Sequence, residues 1–296
     1  MEYDYEKVKK AGKASAEALA YSKSAIRPGR KLLDIAQDIE KFISDKGFKQ
    51  SFPVNLSTDS EAAHYTPEFG DSRVVGEKDV IKVDLGARYE TYLTDCALTV
   101  CLDDEHSKLA ETSENALENA ISLVKAGRKV SEIGAEIEKT AKQYGYNVIK
   151  NLGGHGIEQH ELHANIFIPN FKNGDSTELE EGTVIAIEPF LTTGAGYVVE
   201  GESLQIFQCV SDRMPRSLDA REALALISSE YSTYPFAMRW VIVRMGNEFR
   251  ARRAISELIT IGNLETFPVL IEKSKGMVSQ AEKTLIVTKD SCEIVT

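Results

Sequence analysis

Three of the five histidines in the chain fall between positions 155 and 163, and this is the first stretch whose residue types could carry out chemistry. His155 lies inside the run Gly153-Gly154-His155-Gly156, and His160 and His163 follow it. Because glycines flank His155, the segment does not fit the helix on which zinc proteases place two histidines. A single histidine is usually structural or solvated, but three in a glycine-rich turn favour a site that uses imidazole as a ligand or proton carrier.

Two aspartates lie on a predicted β-hairpin formed by residues 80–87 and 92–102. A turn centred between Tyr89 and Glu90 places Asp84 directly opposite Asp95, with Cβ atoms about 5 Å apart on one face. Like charges in a partly buried hairpin repel, so the pair requires an Arg or Lys between them, a shared proton or a metal cation. A register shifted by one residue would instead place the two carboxylates on opposite faces.

Two glutamates occupy similarly unfavourable positions. Glu188 lies in an apolar strand, and Glu282 lies at the start of another. Each alone is more simply a strand-end residue that reaches solvent. Together with Asp84, Asp95 and His155, they supply four carboxylates and one imidazole, a donor set that suits two adjacent hard or borderline divalent ions. Two such ions about 3.5–4 Å apart can hold a bridging hydroxide, polarise a carbonyl and anchor an amine.

The helices and strands that must position these residues are predicted from hydrophobic periodicity and from the glycines and prolines that end each element. Two helices are predicted at the N-terminus and two more over 105–126 and 130–144. Strands are predicted at 183–192, 203–210 and 276–296, and an arginine-rich, helical-looking segment follows Ser211. We therefore expect an α+β fold in which residues 1–195 and 271–296 form a catalytic domain and residues 196–270 form a helical insert.

Composition limits the class of partner. The chain has 296 residues with 46 acidic and 35 basic side chains, a net charge of −11 and a pI near 5.1, which disfavour a nucleic-acid-binding protein. The arginines of the insert alternate with acidic residues, so we expect no specific nucleic-acid site there. The charged N-terminus and short apolar runs predict neither a signal peptide nor a membrane span. The four cysteines lack metal or disulfide spacing and are expected to be buried, reduced thiols in the cytoplasm.

The motifs, in their order along the chain, resemble type II methionine aminopeptidases. The resemblance covers the Asp84/Asp95 hairpin, the glycine-rich segment around His155, the strand of Glu282 and three further runs: Phe52-Pro53-Val54-Asn55-Leu56-Ser57, Ala62-Ala63-His64-Tyr65-Thr66-Pro67 and Ala186-Ile187-Glu188-Pro189-Phe190. It implies the pita-bread (creatinase/aminopeptidase-like) fold shared with prolidase and creatinase. It also implies a winged-helix-like insert and an archaeal-type form without a long N-terminal extension.

The same resemblance implies roles for the metal ligands. Asp84 would chelate one divalent ion, His155 and Glu188 would bind the other, and Asp95 and Glu282 would bridge both. The ions could be cobalt, manganese, iron or zinc. Lys283 follows Glu282 where many members of the family have histidine, and this affects the surroundings of the ligand rather than the ligand itself.

The resemblance also implies which residues contact the substrate. His64 and His163 would bind the scissile amide and stabilise the tetrahedral intermediate, and Glu188 would share proton transfer with the bridging hydroxide. Phe52, Leu162 and Phe190 would line the methionine pocket, where an apolar wall suits a thioether.

The function implied is removal of the initiator methionine from nascent polypeptides with a small second residue. The implied partners are a peptide or nascent-chain N-terminus and a transient contact with the ribosome, and the implied state is a cytoplasmic monomer. Two alternatives stay open. An Xaa-Pro aminopeptidase or prolidase-like hydrolase would cleave before proline, and a non-catalytic pita-bread binding protein would have lost metal ligands.

Overall fold

The computed structural model of the protein describes residues 3–296, and these residues form seven helices. They are α1 (Tyr5–Ala25), α2 (Leu32–Asp45), α3 (Ser107–Ile121), α4 (Val130–Gln143), α5 (Leu218–Glu230), α6 (Met238–Met245) and α7 (Glu248–Thr260). The first four confirm the helices predicted in the first half of the chain. Gly145 follows α4 with a left-handed backbone (φ 82°), which explains why the helix ends there.

The same residues form eighteen strands, and every strand pairing is antiparallel. The strands are β1 (Lys49–Gln50), β2 (Asn55–Thr58), β3 (Glu61–Ala63), β4 (Val80–Leu85), β5 (Ala87–Tyr89), β6 (Tyr92–Leu93), β7 (Cys96–Cys101), β8 (Asn147–Val148), β9 (Gly153–Glu158), β10 (Glu161–Pro169), β11 (Val184–Ile187), β12 (Phe190–Thr192), β13 (Val198–Cys209), β14 (Phe236–Ala237), β15 (Leu264–Glu272), β16 (Val278–Gln280), β17 (Glu282–Val287) and β18 (Cys292–Ile294). The expected α+β class is confirmed.

An eight-stranded sheet forms the centre of the molecule. Its order is β10-β9-β11-β17-β7-β4-β2, and β18 pairs with β17. The pair α1–α2 packs against one half of the sheet, where Ile39 and Val83 share a core, and α3–α4 packs against the other half, where Ile137 and Leu285 share a second core. Each of these four side chains is fully buried, and such burial stabilises the fold by about 1.5–3 kcal/mol per side chain.

The hairpin that carries the aspartates has a different register from the predicted one. Tyr89 pairs with Tyr92, so the turn is centred one residue later than expected, and Asp84 faces Ala97 rather than Asp95. The register has moved by two residues, and a shift of two keeps each side chain on its predicted face. Asp84 and Asp95 are therefore diagonal neighbours. Between them the backbone of Gly86 lies close to that of Thr94, and only glycine fits there, because a Cβ at position 86 would lie 2.1 Å from the carbonyl oxygen of Thr94.

Residues 196–270 contain the strand predicted at 203–210, as part of β13, and a further long strand, β15, that was not predicted. The three helices α5–α7 occupy 218–260, but both ends of the segment are strand, since β13 pairs with β15 over most of its length. The segment has a hydrophobic core of its own that includes Phe207, Phe236 and Ile255. Its likeness to a winged helix, and the division of the chain into domains at 195 and 271, stay predictions.

The segment joins the rest of the molecule through a buried polar network on α2. Arg239 forms an ion pair with Glu40 and donates hydrogen bonds to the hydroxyl of Thr66 (2.6 Å) and the carbonyl of Pro67 (3.0 Å). The indole of Trp240 donates to the second oxygen of Glu40 at 3.0 Å. These bonds tie α6 of the segment to α2 and to the loop that follows β3.

Among residues 3–296, no helix combines the length and the hydropathy needed to cross a bilayer. All four cysteines are free thiols, as expected. Only Cys96 is fully buried, because Cys101, Cys209 and Cys292 lie in or at the ends of strands that reach the surface.

Candidate metal centre

Five neighbouring strands of the central sheet bring the predicted ligands together. His155 lies on β9, Glu188 directly follows β11, Glu282 begins β17, Asp95 directly precedes β7 and Asp84 lies on β4. These strands are consecutive in the sheet, so the five side chains form one row. The strand order thus makes ligands that are far apart in the sequence neighbours in space.

The two glutamates lie where a strand pair is interrupted. The β11–β17 and β12–β16 ladders keep the same register, and Glu188 and Glu282 occupy opposite positions in the gap between them. Pro189 lacks the N–H that would continue the ladder, and this explains the gap. An acidic residue in an apolar strand is thus positioned to point its carboxylate out of the sheet rather than into the core.

Asp95 is fixed through its backbone. The hydroxyl of Thr284 accepts a hydrogen bond from the Asp95 amide at 2.8 Å and donates one to the Asp95 carbonyl at 2.7 Å. Asp95 and Thr284 are both buried. The side chain of Thr284 therefore takes the place of the two backbone hydrogen bonds that a strand partner would make with Asp95.

The imidazole of His155 presents a lone pair to the carboxylates. Its Nδ1 lies 3.1 Å from the carbonyl oxygen of Gly156, which assigns the proton to Nδ1. Its Nε2 lies 3.5 Å from Asp95 Oδ2 and 4.0 Å from Glu188 Oε1. A lone pair that faces two carboxylates is stable only with a cation or a proton between them.

Burial and mutual repulsion shift the ionisation of every ligand. Burial, followed by the charge of Asp95, raises the pKa of Asp84 and Glu282 well above their usual range, and burial with the charges of both aspartates does the same for Glu188. Burial raises the pKa of Asp95 to about 7 and lowers the pKa of His155 to about 4. Without a cation, the cluster cannot be fully ionised near neutral pH at low energetic cost.

The side chains fit a divalent ion. Ligand atoms of Asp95, His155 and Glu282 all lie within 4.8 Å of one another. One buried oxygen each of Asp84, Asp95 and Glu282 has no hydrogen-bond partner in the described part of the chain. Buried anionic oxygens without partners are expensive, whereas carboxylate oxygens with one imidazole nitrogen form a suitable donor set for manganese, iron, cobalt or zinc.

Two further histidines border the cluster. His163 lies edge-on to His155, with ring centroids 4.5 Å apart. His64 has a left-handed backbone (φ 67°), a strained conformation typical of functional sites, and its Nδ1 lies 3.2 Å from the carbonyl of Pro268. Burial lowers the pKa of His64 to about 4, and desolvation also lowers the pKa of His163, so both rings are neutral at neutral pH.

A cavity of about 380 Å³ is lined by four of the five ligands, namely Asp84, Asp95, His155 and Glu188. The three residues predicted to form the methionine pocket, Phe52, Leu162 and Phe190, all line it and are all at least 94% buried. His160 does not line it. That ring lies at the β9–β10 turn and bonds the hydroxyl of Tyr234 at 3.1 Å, so only two of the three clustered histidines belong to the site.

Sequence reasoning missed several residues that shape the site. Asn55 pairs with Asp84 across β2 and β4 and lines the cavity, and Gln280 lies among the carboxylates. Phe267 of the insert lies beside both His64 and His163, with centroid distances of 5.8 and 6.5 Å. Gln280 was detectable, since it lies two residues before Glu282 on a strand and therefore shares its face.

Comparisons with known proteins agree with this geometry. A family model described as metallopeptidase family M24 matches residues 6–211. A methionine aminopeptidase of Thermococcus onnurineus (strain NA1) is 44% identical over 288 residues, covering 97% of each chain.

Solved structures show the same fold. A methionine aminopeptidase of Thermotoga maritima superposes with a TM-score of 0.72 at 24% identity, covering 98% of this chain and 95% of that one. The structure of a thermophilic Arx1 superposes with a TM-score of 0.85 at 20% identity, covering 98% of this chain and 89% of that one. These likenesses confirm the predicted pita-bread fold. The relatives and the family model together show that the chain belongs to metallopeptidase family M24, among its methionine aminopeptidases.

Proposed function

We propose that this metal-dependent aminopeptidase, which removes N-terminal methionine, uses two divalent ions and acts on new polypeptides whose second residue is small. The observation that carries the proposal is the buried row of four carboxylates and one imidazole beneath an apolar cavity. A methionine-binding wall and two neutral histidines border the same cavity.

The proposed ligand assignment follows the strand order. Asp84 would bind one ion, His155 and Glu188 the other, and Asp95 and Glu282 lie between them in the sheet and would bridge the two. When bound, such ions lower the pKa of a water molecule and polarise a carbonyl.

The apolar wall binds the methionine side chain. Phe52, Leu162 and Phe190 exclude water and present carbon surface to a thioether, while the carboxylate row below attracts the free α-amine. Phe267, His64 and His163 narrow the part of the cavity beyond the methionine-binding wall. This narrowing supports the preference for a substrate whose second residue is small.

The two histidines and Glu188 handle the scissile amide. His64 donates its Nδ1 proton to Pro268, so its Nε2 is free to accept the amide N–H of the substrate. His163, next to His155, is placed to stabilise the carbonyl oxygen as negative charge develops. Glu188 is the carboxylate on which a proton from the attacking water can be held before it reaches the leaving amine.

The cellular setting is part of the proposal. A nascent-chain N-terminus in the cytoplasm, met during a transient ribosome contact, is the substrate that matches the site, and the protein acts as a monomer. The net charge of −11 agrees with the absence of a specific nucleic-acid partner.

Peptide hydrolysis with purified, metal-loaded protein tests the proposal. We expect release of free methionine from Met-Ala-Ser, much slower release from Met-Leu-Ser, and no cleavage of Ala-Pro peptides. Cleavage of Xaa-Pro but not of Met-Ala-Ser would overturn the assignment in favour of a prolidase-like activity, and binding of both peptides without cleavage would favour a non-catalytic protein.

A further inference from the structure

Gln280 is a fully buried amide among the carboxylates of the metal centre. Its Nε2 lies 3.3 Å from Glu282 Oε2 and 3.5 Å from both Asp84 Oδ2 and Glu188 Oε2. We infer that Gln280 is a positioning residue that holds three carboxylate ligands in the arrangement required for two divalent ions. The inference rests on the proposed two-ion function.

The surroundings determine which way the amide points. A carboxylate that binds a cation is ionised, and its oxygens can only accept hydrogen bonds, so in the metal-binding state the NH₂ group must face the three carboxylates and the carbonyl oxygen must face away. A neutral donor is suited to this place. A lysine or arginine would neutralise the carboxylates and repel the incoming cations, whereas an amide orients the oxygens and leaves their charge available.

The backbone of Gln280 is held in the same way as that of Asp95. The hydroxyl of Thr99 accepts a hydrogen bond from the Gln280 amide at 2.9 Å and donates one to the Gln280 carbonyl at 2.7 Å. Thr284 does the same for Asp95. Both threonine contacts follow the register of the β7–β17 ladder, in which Glu282 faces Ala97. Thr284 lies opposite Asp95 beyond one end of that ladder, and Thr99 lies opposite Gln280 beyond the other end. The fold therefore fixes Gln280 as firmly as it fixes a ligand.

The position of Gln280 explains why one residue can link three ligands. It ends β16, and β4, β11 and β17 carry or directly precede the three carboxylates that it contacts. These carboxylates include residues assigned to each of the two ions. One amide thus contacts proposed ligands of both ions.

A purely stabilising role does not account for this side chain. Its carbonyl oxygen is buried and has no hydrogen-bond partner among residues 3–296. A half-satisfied buried amide contributes little to stability, because the unpaired oxygen offsets the bonds of the nitrogen. An apolar residue of similar length should therefore fold, and its defect should appear in metal binding.

Calorimetric titration of chelator-treated protein with MnCl₂ tests the inference on the full chain. We expect Gln280→Met to fold with a thermal midpoint near the wild-type value and to bind Mn²⁺ about tenfold or more weakly. Gln280→Asn keeps the amide but draws it back from the carboxylates, so it should also lose affinity, and it provides a second variant if Gln280→Met does not fold. Ser279→Ala is the matched control, because that buried neighbour bonds the carbonyl of Leu109 instead.

Visible absorption of the Co²⁺-loaded proteins gives a readout independent of hydrolysis. We expect the band intensities and positions to change in Gln280→Met and to stay as in the wild type in Ser279→Ala. Wild-type Mn²⁺ affinity and an unchanged Co²⁺ spectrum in folded Gln280→Met would overturn the inference. A wild-type protein that binds no divalent ion would instead contradict the proposed function, so the two failures are distinguishable.

Discussion

At the scale of single residues, the metal centre is an arrangement that is unfavourable until a cation is bound. Asp84 lies near Asp95, Glu188 and Glu282, and burial makes their repulsion costly. Carboxylates with raised pKa values in the folded protein bind more protons than in the unfolded chain. The metal-free protein therefore loses stability as pH rises from about 4, where the unfolded carboxyls ionise, towards the raised values.

The variant Asp84→Asn isolates this electrostatic cost. In the presence of a chelator, we expect it to be more stable than the wild type at pH 8, because one of the buried carboxylates that repel one another is gone. The difference should shrink towards pH 4, where Asp84 is protonated in the folded wild type. Urea unfolding at the two pH values measures it. Equal stabilities at pH 8 would show that the carboxylates do not repel one another.

The neutral histidines are expected to act on the substrate and not on the ions. His64→Ala should lower kcat by about 10² or more, because it removes a polar contact to the reacting amide, while Mn²⁺ affinity stays unchanged. His160→Ala is the matched control, since that ring contacts Tyr234 outside the cavity and its loss should leave hydrolysis intact. Steady-state kinetics with Met-Ala-Ser distinguish the two variants, and a fully active His64→Ala protein would remove His64 from the mechanism.

At the scale of elements, the insert completes the site that the central sheet begins. Strand β15 pairs with β3, next to His64, and Pro268 on β15 accepts the hydrogen bond that assigns the tautomer of that histidine. Phe267 on the same strand lies against both pocket histidines. The orientation of the insert therefore affects the reacting end of the cavity.

The ion pair between Arg239 and Glu40 is expected to hold that orientation. Arg239→Met leaves Glu40 buried without its cation and should destabilise the protein by about 3–5 kcal/mol. Adding Glu40→Gln should recover part of the loss, because the uncompensated charge is then gone. Urea unfolding of the single and double variants measures both effects. A single variant as stable as the wild type would mean that other contacts hold the insert.

Much of the element structure was predictable, and the exceptions have identifiable causes. The first four helices have clear apolar faces, so periodicity located them. The hairpin register was wrong by two residues because the turn residue Glu90 adopts a left-handed backbone (φ 55°) that a glutamate does not predict. The strand predicted at 203–210 is confirmed as part of β13, but β15 was missed because it is half-exposed with weak alternation.

The candidate site was more predictable than its surroundings. A carboxylate in an apolar strand is conspicuous in a sequence, and this located Glu188 and Glu282, whereas the predicted hairpin located Asp84 and Asp95. Gln280 could have been found from its spacing of two residues to Glu282, but nothing in the sequence near Phe267 points to the site, so only the strand pairing of the folded chain reveals that residue. The five ligands form a row because of the strand order in the sheet. Their spacing along the chain does not reveal that order.

At the scale of the whole molecule, part of the net charge of −11 comes from the carboxylates of the metal centre. Four of the negative groups lie together on one sheet beneath one cavity, where they attract divalent cations and the α-amine of a peptide. The central claim is that this row holds the ions on which methionine removal depends.

The most direct test is stepwise addition of Mn²⁺ or Co²⁺ to chelator-treated protein while methionine release from Met-Ala-Ser is followed. We predict no hydrolysis without an ion, activity that rises until no more than two ions per chain are bound, and no recovery in Asp95→Ala at any ion concentration. Full activity of the chelated wild type, or of Asp95→Ala, would contradict the account.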